Sequence, residues 1–146
     1  MTDYYAIEPE VAGGWGERTV SDVSVHPPLV TRVHYEFEGW LGDVLLESFP
    51  CFIVTELARD SINRLDPTGA NFGDVEVTTS EEFEELHPNT VLPRFHWLQI
   101  RGKAGQADFG LTHDSRLVVS ERILRALRSL GLSHAIVSEF DKTKES

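Results

Sequence analysis

The sequence reads FIVTE at residues 52–56 and LVVSE at residues 117–121, and these two stretches decide the fold. Each places a short apolar run, typical of a buried strand, directly before a hydroxyl residue and an acid. A hydroxyl residue followed by an acid suits the start of a helix, because it caps the first turn and complements the helix dipole. A helical pattern follows in both cases, through Leu65 and through Leu130. The sequence therefore predicts two strand–helix units.

The two units also match in detail. Three apolar positions of one helical stripe correspond at one constant offset, namely Ala58, Ile62 and Leu65 with Ile123, Leu127 and Leu130. A strand-like segment follows each helix, DVEV at 74–77 and AIV at 135–137, and Gly131 suits the end of the second helix. The match is explained either by duplication of one unit or by two ordinary segments that obey the same local physics.

Further elements surround these units. Strands are predicted at 4–7 and 33–37, and the segment FHWLQI at 95–100 has apolar residues on both faces, which is typical of a central strand. A capping box from Thr79 to Glu82 predicts a short helix that ends before Pro88.

Strands and helices of this kind predict an α+β fold. We expect one domain over residues 1–140, in which two to three helices pack on a mixed or mostly antiparallel sheet, and a polar tail at 141–146.

The chain is strongly acidic. Of its 146 residues, 24 are Asp or Glu and 13 are Lys or Arg, so the formal net charge is −11. This excess argues against nucleic-acid binding, because phosphate binding depends on Lys and Arg. It fits a basic protein partner, whose association the field would accelerate, and it also fits a role in solubility alone.

Cysteine content and hydropathy limit the setting. Cys51 is the single cysteine, which excludes an intramolecular disulfide and a cysteine-cluster metal site. The first ten residues are acidic and lack an apolar core, so they do not resemble a signal peptide. No apolar stretch approaches the roughly 18 residues of a membrane helix. We expect a soluble cytoplasmic protein with no membrane contact.

Two acidic segments are candidate partner-binding surfaces. A tryptophan on a glycine-bounded turn with acids around it resembles an interface anchor, although it could equally fold back onto the core. A run of acids at a helix start gains from the helix dipole about what it loses by repulsion, so it is also compatible with a plain solvated helix. The candidate residues are Glu36, Glu38, Trp40, Asp43, Glu81, Glu82 and Glu85.

Signals for catalysis are weak. The sequence has no metal-binding histidine pair at helical spacing, no phosphate loop and no nucleophile elbow. His113 beside Asp114 is the best candidate for a general base with an orienting partner, and a turn that uses Asp114 explains the pair equally well. His96 and Cys51 are interpreted as core residues. We therefore predict no catalytic residue, no cofactor and no metal.

Four blocks of the sequence resemble a known family. They read YAIEPEVAGG at 5–14, FPCFIVTE at 49–56, LVVSE at 117–121 and GLSH at 131–134. Their order and spacing are similar to those of a family of small bacterial immunity proteins that is common in myxobacteria and was first described as a domain of unknown function.

The resemblance implies a partner role. Such proteins resemble the protective halves of polymorphic toxin pairs, in which the immunity protein binds and blocks a cognate toxin domain, often a basic nuclease. The family offers no catalytic residues to carry over. The expected function is thus non-catalytic occlusion of a toxin. The alternatives are a protein-binding adaptor without a toxin partner, and a small hydrolase that uses His113 and Asp114.

Overall fold

The computed structural model describes residues 3–141. These residues form one domain with thirteen strands and three helices, which confirms the predicted α+β class. None of the helices within these residues has the length and apolar character needed to cross a membrane. The predicted polar tail, apart from Asp141, lies outside the described residues.

The first predicted unit forms a strand, a helix and a second strand that does not pair with the first. Numbered along the chain, these are β7 (Cys51–Thr55), α1 (Glu56–Asn63) and β8 (Ala70–Gly73). Strand β10 (Phe95–Ile100) lies between β7 and β8, antiparallel to both. Strand β6 (Leu45–Ser48) completes sheet B in the order β6-β7-β10-β8. The predicted central strand at 95–100 is therefore confirmed.

The second unit repeats this arrangement. It consists of β12 (Leu117–Ser120), α3 (Glu121–Leu130) and β13 (Ile136–Glu139). The inserted strand is β1 (Tyr4–Glu8), which is antiparallel to both β12 and β13. Strand β11 (Phe109–Leu111) completes sheet A in the order β11-β12-β1-β13. The strand between β12 and β13 therefore comes from the beginning of the described residues.

The two sheets share the same register. The inserted strand begins opposite Thr55 in sheet B and opposite Ser120 in sheet A. The first helical N–H then donates to the carbonyl just before the inserted strand, over 2.8 Å from Glu56 and over 3.0 Å from Glu121. The match seen in the sequence therefore extends to the hydrogen-bonding scheme.

The predicted helix caps are partly correct. Thr55 caps α1, since its hydroxyl accepts from the Ala58 N–H over 3.2 Å. Ser120 makes no such bond, because its hydroxyl donates instead to Asp108 Oδ1 over 2.7 Å. The third helix, α2 (Glu81–Leu86), is capped by Ser80 rather than by the predicted Thr79.

One strand prediction was misplaced. The segment 74–77 was expected to close the first unit, but that role belongs to β8, which ends at Gly73. Strand β9 (Glu76–Thr79) starts a few residues later and joins a different sheet. The alternation of polar and apolar residues at 74–77 is typical of a strand, so the prediction included the two residues that separate β8 from β9.

The main core lies between sheets A and B and holds the helices α1 and α3. It contains the predicted helical stripes except Leu130, which is 37% exposed at the end of α3, together with inward residues of both sheets. Examples of the inward residues are Phe52, Val54, Leu98 and Val119. Because alternate residues of a strand face opposite sides, Ile53 points the other way, into a second core. Sheet B is therefore covered on both faces.

The second core lies between sheet B and sheet C. Sheet C consists of β2 (Gly13–Trp15), β5 (His34–Phe37) and β9, in the order β2-β5-β9. Strand β5 pairs antiparallel with β2 and parallel with β9. Phe83 of α2 is 2% exposed and closes this core at one end.

A hairpin, sheet D, precedes β5. Its strands are β3 (Val20–Asp22) and β4 (Leu29–Arg32), with a register shift after Val20. Its base is held by Arg32, which donates to Glu76 Oε1 over 3.2 Å. The hairpin is the only two-stranded sheet within residues 3–141.

An ion pair joins the two units. Arg122 of α3 binds both carboxylate oxygens of Asp108 and also donates to the Leu65 carbonyl over 2.8 Å. The Asp108 side chain is 11% exposed and accepts further bonds from Ser120 and Thr68. Hydrogen bonding from the Arg122 guanidinium holds the pKa of the Asp108 carboxyl far below its usual range.

We expect Asp108→Asn to lower the free energy of unfolding by about 1–2 kcal/mol at pH 7, because it removes charge-assisted hydrogen bonds that are partly screened by solvent. The pKa of the native carboxyl is lowered, so its stabilisation is present above the ordinary carboxyl pKa and is lost as the pH falls. The difference in the free energy of unfolding between wild type and variant should therefore become smaller below about pH 4. Urea unfolding at several pH values measures it.

Asp114→Asn is the matched control, because Asp114 is exposed and its main ionic partner, Arg116, is exposed as well. A difference between wild type and Asp108→Asn that is independent of pH would contradict the assigned role of the ion pair.

Candidate functional site

The parallel pairing of β5 and β9 brings the two predicted acidic segments together. Phe37, the last residue of β5, lies opposite Thr79, the last residue of β9, and the Ser80 N–H donates to the Phe37 carbonyl over 2.9 Å. Strands that run parallel end at the same edge of a sheet. Glu38 and the start of α2 therefore meet at one end of sheet C.

We call this end of the sheet the acidic surface. Its side chains are all exposed, and α2 contains no basic residue that would neutralise them. Ser80 fixes the first turn of α2 by accepting from the Phe83 N–H over 3.1 Å, and buried Phe83 anchors the helix to the second core. The acids are thus displayed on a rigid support. The residues of the acidic surface are Glu38, Glu81, Glu82, Glu84 and Glu85.

Glu36 lies apart from this surface. It is half-buried within β5, opposite Gly14 and Thr78. Its neighbours Tyr35 and Phe37 point into the second core, so Glu36 faces the other side of sheet C. Of the first predicted segment, only Glu38 joins the acids of α2.

Trp40 lies beside the acidic surface and is half-buried. Its ring packs edge-on against Phe95, with the ring centroids 5.9 Å apart. Its indole N–H donates to the Asp43 carbonyl over 3.0 Å. The side chain therefore covers the second core, as in the alternative in which it folds back, although the residue as a whole is only half-buried.

Asp43 is not an exposed acid at the rim of Trp40, and that expectation was wrong. Asp43 is 2% exposed, and its carboxylate accepts hydrogen bonds from the N–H groups of Ser133 over 2.9 Å and of His134 over 2.8 Å. A buried carboxylate is stable only where donors of this kind replace water. Asp43 thus ties the loop at 38–43 to the segment after α3.

Glu10 is a second buried carboxylate in this region, and nothing in the sequence marked it. It is 7% exposed and accepts from the Leu41 N–H over 2.7 Å and from the Asp43 N–H over 3.4 Å. Its role depends on a loop that is distant in sequence, so local composition contains no signal for it. Together, Glu10 and Asp43 hold the backbone that carries Trp40.

One group of side chains has the donor atoms of a metal site. Single oxygen or nitrogen atoms of Glu10, Asp43 and His134 all lie within 4.8 Å of one another. His134 Nδ1 is 3.1 Å from Asp43 Oδ1. Both carboxylates already accept backbone N–H groups, so these residues have a structural role without a bound ion.

Two exposed aliphatic residues lie in the loop of Trp40 and in the segment that is hydrogen-bonded to this loop. The Ala12 carbonyl accepts from the N–H groups of Glu38 over 2.8 Å and of Gly39 over 3.1 Å, which brings the connection at residues 10–12, between β1 and β2, next to the loop. Val11 and Leu41 are 66% and 65% exposed. The acidic surface therefore has an apolar border that the sequence did not reveal.

The remaining candidates for chemistry have structural partners. His96 is buried and lies between Glu56 Oε1, at 3.3 Å, and Arg59, at 3.4 Å, as expected of a core histidine. Cys51 is 4% exposed, and burial raises the pKa of its thiol to about 11. A thiol with that pKa is protonated near neutral pH and is a poor nucleophile.

His113 and Asp114 lie in an exposed turn. The Asp114 carboxylate accepts from the Thr112 hydroxyl and from Arg116 Nε, at 3.3 Å. Asp114 thus bonds to residues of its own turn, as in the alternative in which a turn uses this acid. The hydrolase alternative gains no support from this geometry.

Two shallow clefts lie on either side of the segment before β9. One, of about 450 Å³, is bordered by Arg18 and Arg32, and the other, of about 330 Å³, is bordered by Arg94 and His96. Asp74 and Val75 contribute to both clefts. Neither cleft includes His113 or Asp114.

Comparisons with known proteins give no family. No protein-family model matches the chain, and no curated protein is similar enough to indicate a relationship. Any function therefore has to be argued from the surface itself.

We expect Asp43→Asn to lower the free energy of unfolding by about 1.5–3 kcal/mol. In the wild type each carboxylate oxygen accepts a backbone N–H, whereas in the variant the amide nitrogen, itself a donor, would face one of these N–H groups. The loop that carries Trp40 should loosen as well. Urea unfolding followed by tryptophan fluorescence reports both effects.

Glu38→Gln, at an exposed acid of the same loop, is the matched control and should change stability by less than about 0.5 kcal/mol. Equal unfolding midpoints for Asp43→Asn and wild type would show that the buried carboxylate does not hold the loop.

Proposed function

We propose that the chain is an immunity protein that binds a basic bacterial toxin domain, such as a nuclease, through the acidic surface and blocks it without catalysis. The observation that carries the proposal is the parallel pairing of β5 and β9, which gathers Glu38 and the acids of α2 beside Trp40. In the cytoplasm of the producing cell, such a surface would meet the toxin before it reaches its substrate.

The charge of the chain supports a basic partner. The net charge of −11 gives a field that steers a basic protein, and the acidic surface concentrates part of that charge at one end of sheet C. Electrostatic steering raises the association rate and falls with ionic strength. Fast association suits a protein that must act before a toxin does damage.

The packing of the surface also supports protein binding. Trp40 is supported from below by Phe95, and its loop is fixed by the carboxylates of Glu10 and Asp43. A contact surface that is already ordered loses little entropy when a partner binds. An aromatic side chain beside exposed aliphatic residues, with acids around them, resembles the centre and rim of an interface.

The mechanism we propose is occlusion. The acids would pair with Lys and Arg side chains that the toxin uses to hold phosphate groups, while Trp40, Val11 and Leu41 would exclude water from the contact. A nuclease covered in this way cannot bind its substrate. Occlusion covers the substrate-binding surface of the toxin, so no residue of this chain has to take part in a chemical reaction.

The first test is co-purification of the tagged protein with the product of the gene immediately upstream. We expect a tight complex that weakens as salt rises, and we expect co-expression to protect cells from that product. A stable complex with a cellular protein that has no toxic activity would favour the adaptor alternative instead. If the two proteins do not bind and co-expression gives no protection, the proposal is contradicted.

The second test places the interface. We expect the triple variant Glu38→Lys, Glu81→Lys and Glu82→Lys to slow association at least about tenfold and to flatten its dependence on salt, because the attractive field at the surface is reversed. Stopped-flow fluorescence at low and high ionic strength measures both quantities.

A control variant with the same change in net charge isolates position from total charge. Glu8, Glu17 and Glu139 are exposed and lie outside the acidic surface, so their replacement by lysine should leave most of the association rate intact. If the two triple variants slow association equally, the association rate depends on the net charge of the chain and not on the position of the acidic surface.

A further inference from the structure

The hairpin of β3 and β4 is an arm that lies outside the cores of the domain. No residue from 17 to 32 is buried, and none belongs to the hydrophobic clusters formed by the described residues. A two-stranded hairpin is marginally stable in water without a third strand or a helix against it. The arm therefore has a free surface whose covering would stabilise it.

The free surface of the arm includes four exposed apolar side chains. Val20, Val23, Val25 and Leu29 are 53%, 73%, 47% and 61% exposed. Phe49, 46% exposed, adds to this patch because its ring lies 6.3 Å from that of His26 in the turn of the arm. Exposed apolar patches on the order of 300–600 Å² are commonly interaction sites in soluble proteins.

The arm also differs from the rest of the chain in charge. Between residues 20 and 32 the charged side chains are Asp22 and Arg32, so this segment is neutral within a chain of net charge −11. A basic partner would be attracted to the acidic surface rather than to the arm. The chemistry of the arm fits an apolar and uncharged surface, and a second copy of this chain offers such a surface in the same arm.

We infer that the hairpin arm is a self-association surface, on which the arms of two copies pack together about a two-fold axis. A two-fold contact uses the same patch on both copies, so a self-complementary apolar patch is sufficient to form it. The patch is small, and interfaces below about 1,200 Å² are usually weak. The dimer therefore forms at high protein concentration.

The acidic surface stays accessible in this dimer. Strand β5 runs from His34, next to the arm, to Phe37, next to Glu38, so the two surfaces lie at opposite ends of sheet C. A dimer joined through the arms would present two acidic surfaces facing away from the contact. This inference does not depend on the proposed function.

Salt should act on the two contacts in opposite directions. The dimer brings together two chains of charge −11 through a neutral patch, so screening of their repulsion strengthens it. Binding of a basic partner to the acidic surface weakens under the same screening.

Sedimentation velocity of the full chain over a wide range of concentration tests the inference. We expect the wild-type mass to rise above 16.4 kDa towards twice that value with concentration, and to rise further at high salt. The variant Leu29→Asp should stay at 16.4 kDa, and so should Val23→Asp. Both side chains are exposed, so circular dichroism should show an unchanged fold.

Leu57→Asp is the matched control, because Leu57 is 72% exposed on α1 and lies outside the arm. It should dimerise as the wild type does. A wild-type chain that stays monomeric at every concentration and salt would overturn the inference, and so would equal behaviour of Leu29→Asp and Leu57→Asp.

The same variants separate this inference from the proposed function. Leu29→Asp should bind and neutralise the upstream gene product as the wild type does, whereas the triple variant of the acidic surface should dimerise normally. Failure of the dimer with intact protection would leave the proposed function standing. A wild-type chain that dimerises but neither binds nor neutralises the upstream gene product would contradict the proposed function alone.

Discussion

Each strand–helix–strand unit leaves a gap one strand wide between its two parallel strands, and the rest of the structure depends on how that gap is filled. In sheet B the strand β10 fills it, and in sheet A the strand β1 does. Backbone groups along the gap need partners, because a buried unpaired amide or carbonyl is costly. Filling both gaps aligns the helices α1 and α3 in one core between the sheets.

This construction determines where the candidate surface lies. Sheet B is apolar on both faces, so a second layer has to cover the face that α1 leaves open. Sheet C and α2 form that layer, and their parallel strands place Glu38 next to the acids of α2. The acidic surface is thus a consequence of how the second core is closed, and its rigidity comes from Phe83 and Trp40, which pack into that core.

The sequence predicted the elements that rest on local patterns. The helical stripes apart from Leu130, the Thr55 cap and the central strand at 95–100 followed from periodicity and residue type. The pairing of β1 with strands more than a hundred residues later has no local signal. The predicted exposure of Asp43 was wrong because burial of this residue has no local signal either. An acid next to glycine is typical of an exposed turn. The burial of Asp43 depends on the N–H groups of Ser133 and His134, which only the folded chain brings near.

The position of β1 at the centre of sheet A has a consequence for biosynthesis. The ribosome makes β1 more than a hundred residues before its two partners, β12 and β13. Sheet B draws all its strands from residues 45–100 and can form while later residues are still being translated. Strand β1 has to wait for these distant partners, so sheet A closes later than sheet B and leaves the edges of β1 unpaired in the meantime.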